Sequence, residues 1–125
     1  MIAPIWLNAV IGDFGRAAGL GSLALNERGA AALKFENGAT LRLEYTGAEL
    51  VVAMTVRTAD LRRLLSLSHP SARFGLRVRT GIMSKTREAV MAVRLAERDV
   101  TLPHVNAAFD LLWRLAGEIG GAAWA

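Results

Sequence analysis

The sequence predicts an α+β fold in the element order α-β-β-β-α-β-β-α, with one antiparallel five-stranded sheet and three helices. Three observations carry that prediction. Apolar residues recur at steps of three and four near both ends of the chain, which is the helical period. Between positions 31 and 56 they alternate singly, the period of a half-buried strand. Asn37-Gly38 and Thr46-Gly47 punctuate that stretch at hairpin spacing.

The first helix covers residues 5–18, where Leu7, Val10, Ile11, Phe14 and Ala18 form the stripe. Pro4 suits its first turn and Gly19 its C-terminal stop. After Leu23, Leu25 and the Asn26–Gly29 turn, Ala31, Leu33 and Phe35 face one way and Lys34 and Glu36 the other. The Asn37-Gly38 hairpin leads to Leu41, Leu43 and Tyr45 alternating with Arg42 and Glu44. Thr46-Gly47 then turns into the nearly continuous apolar strand 49–56. A second helix over 58–68 takes Thr58 as cap, Asp60 in its first turn and Leu61, Leu64 and Leu65 as its stripe, with Pro70 beyond its end. A fourth strand over 73–79 alternates Phe74, Leu76 and Val78 with Arg73, Arg77 and Arg79, and a loop through Gly81 and Lys85 follows. The fifth strand carries Ala89, Met91, Val93 and Leu95 on one side. Thr101 and Pro103 open the last helix, with Val105, Phe109, Leu112, Ala116 and Ile119 on one face and Gly120-Gly121 at its end.

The 125 residues suffice for one compact domain over 1–125, uninterrupted by repeat or linker. A hydrophobic fraction of 53% with 21% charge is that of a globular chain. No cysteine is present, which excludes a disulfide framework and a thiolate metal site. No apolar run reaches the ~20 residues a membrane span requires. The apolar start 1–11 lacks a preceding basic residue and meets Asp13 and Arg16, so the chain reads as uncleaved and soluble. Net charge is +4 and local in origin: Arg73, Arg77, Arg79, Lys85, Arg87, Arg94 and Arg98 stand against Glu88 and Glu97 within 73–98. Such a segment reads as a solvated sheet face, or as a contact for an acidic partner or nucleic acid.

Catalytic chemistry finds no constellation. His69 and His104 each lie at a helix boundary without a second ligand at metal spacing, so they read as surface or capping residues and no metal or other cofactor is expected. Gly12, Gly15, Gly19 and Gly21 cluster, but the first two fall inside a helix pattern, where close packing against the sheet explains them better than a phosphate cradle. Ser66, Ser68, Ser71 and Ser84 occupy no nucleophile elbow. The chain is expected not to be an enzyme. Arg73, Arg77, Arg79 and Arg94 form a candidate basic face, but Phe74 falls on the opposite strand face, where no base could stack between them. A small basic nucleic-acid-binding module therefore stays the alternative.

The whole pattern resembles the class I type III secretion chaperones, the Tir-chaperone-like or CesT-like family. The matching stretches are LNAVIGDFGRAAGL, LALNERGAAALKFENGATLRLEY, ELVVAMTV, TADLRRLLSLS and LPHVNAAFDLLWRLAGEI, covering about residues 5–119. The YbjN-like proteins share the element order. The resemblance implies a secretion-chaperone-like fold in a cytoplasmic homodimer without catalytic activity. Its partner would be the N-terminal region of a secreted effector, bound as an extended segment. Members are typically acidic, whereas this chain is basic. Expected partner-binding residues are Trp6, Leu7, Val10, Phe14, Leu33, Phe35, Leu41, Val52 and Met54, of which only about a third should touch the partner, with Trp6 foremost. The expected dimer interface combines Leu61, Leu64 and Leu65 with Phe74, Leu76 and Val78, residues that could equally fill the monomer core.

Overall fold

The computed structural model describes residues 2–36, 38–57, 75–83 and 88–120. Helix α1 (Ile5–Ala17) leads into a meander of β1 (Ala30–Lys34), β2 (Thr40–Tyr45) and β3 (Glu49–Arg57). Strands β4 (Arg79–Met83) and β5 (Glu88–Ala96) follow, then a short 3₁₀ turn and helix α2 (Leu102–Gly120). The five strands form one antiparallel sheet in the order β1-β2-β3-β5-β4. The expected helix over 58–68, with Leu61, Leu64 and Leu65, lies outside the described residues, as do His69, Arg73 and Phe74. Among the described residues the architecture is thus five strands and two α-helices.

Single alternation along each strand becomes continuous rows across the sheet through its register. Leu33, Leu41, Met54, Met91 and Thr80 stand in line, and so do Ala31, Leu43, Val52 and Val93. This face receives Leu7, Ile11 and Phe14 of α1 and Val105, Ala108, Leu112 and Ala116 of α2, all in one core. The helical residues recur at three- and four-residue steps, so each helix turns a single stripe towards the sheet. Thr101 sets the start of α2: its Oγ1 accepts the His104 backbone N–H at 3.4 Å and meets His104 Nδ1 at 2.9 Å. Thr101 is thus the cap, and His104 sits in the capped first turn with its ring against the Thr101 hydroxyl.

Side chains fix the connections. Asn8 Oδ1 accepts the Leu25 N–H at 2.9 Å, holding the incoming chain against α1. Asn26 Oδ1 accepts the N–H groups of Arg28 and Ala30 at 2.9 and 3.1 Å, forming the turn into β1. Thr46 Oγ1 accepts the Glu49 N–H at 3.1 Å, with Gly47 at φ 97° completing the turn.

Two expectations need correction. Among the described residues the fourth strand runs over Arg79–Met83 and leaves 75–78 outside it, although Leu76 and Val78 are buried with the expected alternation. Burial sets that alternation, whereas pairing to β5 sets the strand, and the two do not coincide here. Gly81 lies in the strand opposite Val90, not in a loop. The second correction concerns the glycines of α1. A Cβ on Gly15 would stand 2.8 Å from both Gly21 O and Leu23 Cβ, so the close approach is to the following loop and not to the sheet.

Gly12 is the natural control, because its added Cβ would meet nothing nearer than 3.6 Å. Gly12→Ala should raise unfolding free energy by up to about 1 kcal/mol through helix propensity. Gly15→Ala should lower it by about 1–3 kcal/mol through overpacking against backbone. Denaturant titration of both variants measures the contrast, and equal effects would sink the explanation.

Candidate functional site

Two surfaces stand out, one apolar and one basic. The apolar surface begins at the N-terminus of α1, where Ile2 is 77%, Ile5 90% and Trp6 42% exposed. Trp6 and Val10 are four residues apart, hence neighbours on one helix ridge. At the β1 edge, Phe35 meets Trp113 edge-on, with centroids 4.9 Å apart, and both pack on Phe109. Phe109 in turn packs edge-on against the buried Phe14 at 5.4 Å. Phe35, Phe109 and Trp113 are half-buried and form an aromatic ledge beside the strand. Trp113 was not foreseen, although its place four residues after Phe109 marks it as belonging to the same helix face.

Beside this ledge runs a sheet edge. β1 pairs only with β2 among the described residues. Tyr45 N donates to Gly29 O and Phe35 N to Ala39 O, which identifies the hydrogen-bonded positions of the ladder. Antiparallel alternation then turns the N–H and C=O groups of Ala32 and Lys34 outward, away from β2. An outward row of this kind is a template for an added strand.

Of the expected partner-binding residues, Leu7, Phe14, Leu41, Val52 and Met54 are buried in the core and present no surface to a docked segment. Trp6, Val10, Leu33 and Phe35 reach the surface at least in part. Leu76 and Val78, expected at a dimer interface, are buried in the folded chain.

The basic surface is a cleft of about 390 Å³ where β4 enters the sheet and β5 leaves it. Arg77, Arg79 and Arg94 line it together with Glu49, Asp99 and His104, and the core residues Leu76 and Leu95 border it. Arg79 enters the strand opposite Ala92, next in sequence but one to Arg94, and Arg77 lines the same cleft just before the strand begins. Arg94 Nη1 donates to Glu49 Oε1 at 3.2 Å across β3 and β5. Three arginines of the expected basic face are thus neighbours, and Arg73 lies outside the described residues. Among the described residues no group of three His, Cys, Asp or Glu side chains is placed to hold a metal. Nor is any described helix long and apolar enough to cross a membrane.

A sheet with one helix-covered face, an edge strand and an aromatic ledge beside it is a surface to which an extended strand can be added. The family comparison is more specific: the model of the type III secretory system chaperone SycN matches residues 6–120, and the chain belongs to that family. Among curated proteins none matches. Among solved structures, a chain of the ExsC–ExsE complex aligns with TM-score 0.73 at 20% identity, over 98% of this chain and 99% of that one. The Yersinia pestis type III secretion chaperone SycH, solved with a fragment of YscM2, aligns with TM-score 0.68 at 19% identity, over 90% and 98%. The HopA1–SchA chaperone–effector complex gives TM-score 0.65 at 17% identity, over 87% and 89%. At such identities the likeness is one of fold.

Tyr45 closes the sheet end near the basic cleft. Burial of its side chain, then the charge of the Glu97 carboxylate and its hydrogen bond, raise the phenol pKa above the ordinary 10.0. Its one hydroxyl proton is shared between that carboxylate and Gly47 O, 3.3 Å from the phenol oxygen. Because the folded value is raised, this stabilisation is complete below pH 10 and is lost as pH climbs through the folded value. Tyr45 is the chain's one tyrosine, so tyrosinate absorbance reports it alone. That absorbance should appear at higher pH in the folded protein than in denaturant, and Tyr45→Phe should flatten the alkaline fall of the melting temperature. Coincident titrations in the two states would contradict this account.

Proposed function

We propose that this chain holds the N-terminal region of a secreted effector as an extended segment and keeps it competent for type III export, as a cytoplasmic homodimer without catalysis. The observation that carries the reading is the outward edge of β1 beside the Phe35–Phe109–Trp113 ledge. A partner strand added there would satisfy the outward groups of Ala32 and Lys34, and its alternate side chains would reach the ledge. Trp6 and Val10 supply a second apolar foothold. Membership in a chaperone family supports the same reading, as does a fold shared with a chaperone–effector complex. Neither comparison supports the nucleic-acid alternative.

Capture of the tagged chain from its native host should retain one dominant secreted protein, and amide exchange at Ala32 and Lys34 should slow in that complex. Trp6→Ala and Phe35→Asp should each weaken the complex by more than about 1 kcal/mol if these side chains are anchors, with circular dichroism confirming that both variants fold. Retention of nucleic acid in place of protein would overturn the reading.

The homodimer carries its own expectation. Leu61, Leu64 and Leu65 form a stripe too short to stabilise a helix alone. Leu64→Asp should therefore shift the protein from dimer to monomer, or unfold it, in light scattering at micromolar concentration. A wild-type chain that is monomeric under those conditions would refute the dimer.

A further inference from the structure

We infer that the cleft of Arg77, Arg79 and Arg94 receives the carboxylates of an acidic segment of the same secreted partner, at a distance from the apolar foothold. The inference rests on the function proposed above, and its evidence is the charge and spacing of the cleft. Arg94 is engaged by Glu49, and among the described lining residues Asp99 is the other carboxylate facing the guanidinium forks of Arg77 and Arg79. Arginine forks match carboxylate geometry in two parallel N–H···O bonds. Arg77 and Arg79 are two residues apart and both exposed. In extended backbone that spacing is about 6.6 Å, the same interval that separates alternate side chains of an extended peptide. A Glu-X-Glu stretch laid along the cleft therefore meets the two arginines at matched spacing.

Nucleic acid fits the same cleft less well. A phosphate track repeats its charge every ~3.4 Å per strand and needs an unbroken row of cations. Glu49 and Asp99 interrupt such a row here, and no Phe, Tyr or Trp is among the described lining residues to stack a base.

The cleft adjoins β4 and the aromatic ledge adjoins β1, at opposite edges of a five-stranded sheet. Four inter-strand spacings amount to about 19 Å. A segment that reaches both must therefore carry its acidic stretch at least about six extended residues from its apolar anchor.

The test uses the full chain and a fluorescent peptide of alternating Glu and Ala. Its Gln-for-Glu counterpart and an oligothymidylate of equal charge complete the set. The Glu peptide should bind and the Gln peptide should not. Arg77→Gln with Arg79→Gln should weaken Glu-peptide binding about threefold to thirtyfold, the range for two exposed ion pairs. Arg114→Gln, on the exposed side of α2, should leave it unchanged. Raised salt should weaken it in step with screening. Equal binding by the double variant, or tighter binding of the oligothymidylate, overturns the assignment. Partner capture separates the two readings. If the cleft assignment fails alone, native-host capture survives and remains sensitive to Phe35→Asp. If no secreted protein is captured, the chaperone reading fails and takes the cleft's proposed occupant with it.

Discussion

Burial of one sheet face by two helices is the constraint on which the rest of this structure depends. Leu41, Met54 and Met91 lie in one row across three strands and Leu43, Val52 and Val93 in the next. Close packing of those rows against Leu7, Ile11, Phe14 and Leu112 fixes where α1 and α2 can sit. Register follows from the same burial, since a slip of one residue would carry every apolar side chain of a strand to the other face. The turns at Asn26, Gly38 and Thr46 then have only to deliver each strand to a position already determined.

Covering one face leaves the edges unresolved. A soluble protein normally protects an edge strand with charge, proline or a covering element. Here β1 carries three alanines, Leu33 and a single lysine, Lys34. Its inward neighbours are half-buried aromatics rather than closed core. An edge so lightly defended, with an apolar ledge at its side, is a liability in an isolated molecule and a binding surface in one with a partner.

The meander was legible because its signals agree at every level: period-two alternation, Asn-Gly at one turn, Thr-Gly at the next. Strand β4 was less so. The alternation of Leu76 and Val78 reports burial but not which residues hydrogen-bond to β5, and Gly81 reads as a loop when only its lack of a side chain is visible. The candidate site was legible as a class of residue and not as positions. Leu7 and Phe14 obey the same helical stripe that marks a binding ridge, and sequence gives no way to tell a stripe that faces the sheet from one that faces outward. Trp6 differs because it sits off that stripe. The arginine cleft depends on long-range pairing, since Arg79 and Arg94 come to line one cleft only when β4 pairs with β5.

The division between the two faces also explains how this chain keeps its fold at low sequence identity. Identities of 17–20% to structures of the same fold mean that most side chains have changed, and inner-face positions tolerate such change if volume and polarity are kept. Outer-face positions are under a weaker packing constraint. Arg42, Arg79 and Arg94 project there from three strands without entering the core. Charge can therefore be rewritten on this side at little cost to stability, because exposed ion pairs contribute only about 0–1 kcal/mol each. What such charges do alter is the sign of the field a partner meets on approach, and with it which segment is drawn to the sheet. The helix-packed face thus specifies a shared fold, while the outer surface is where charge is free to vary.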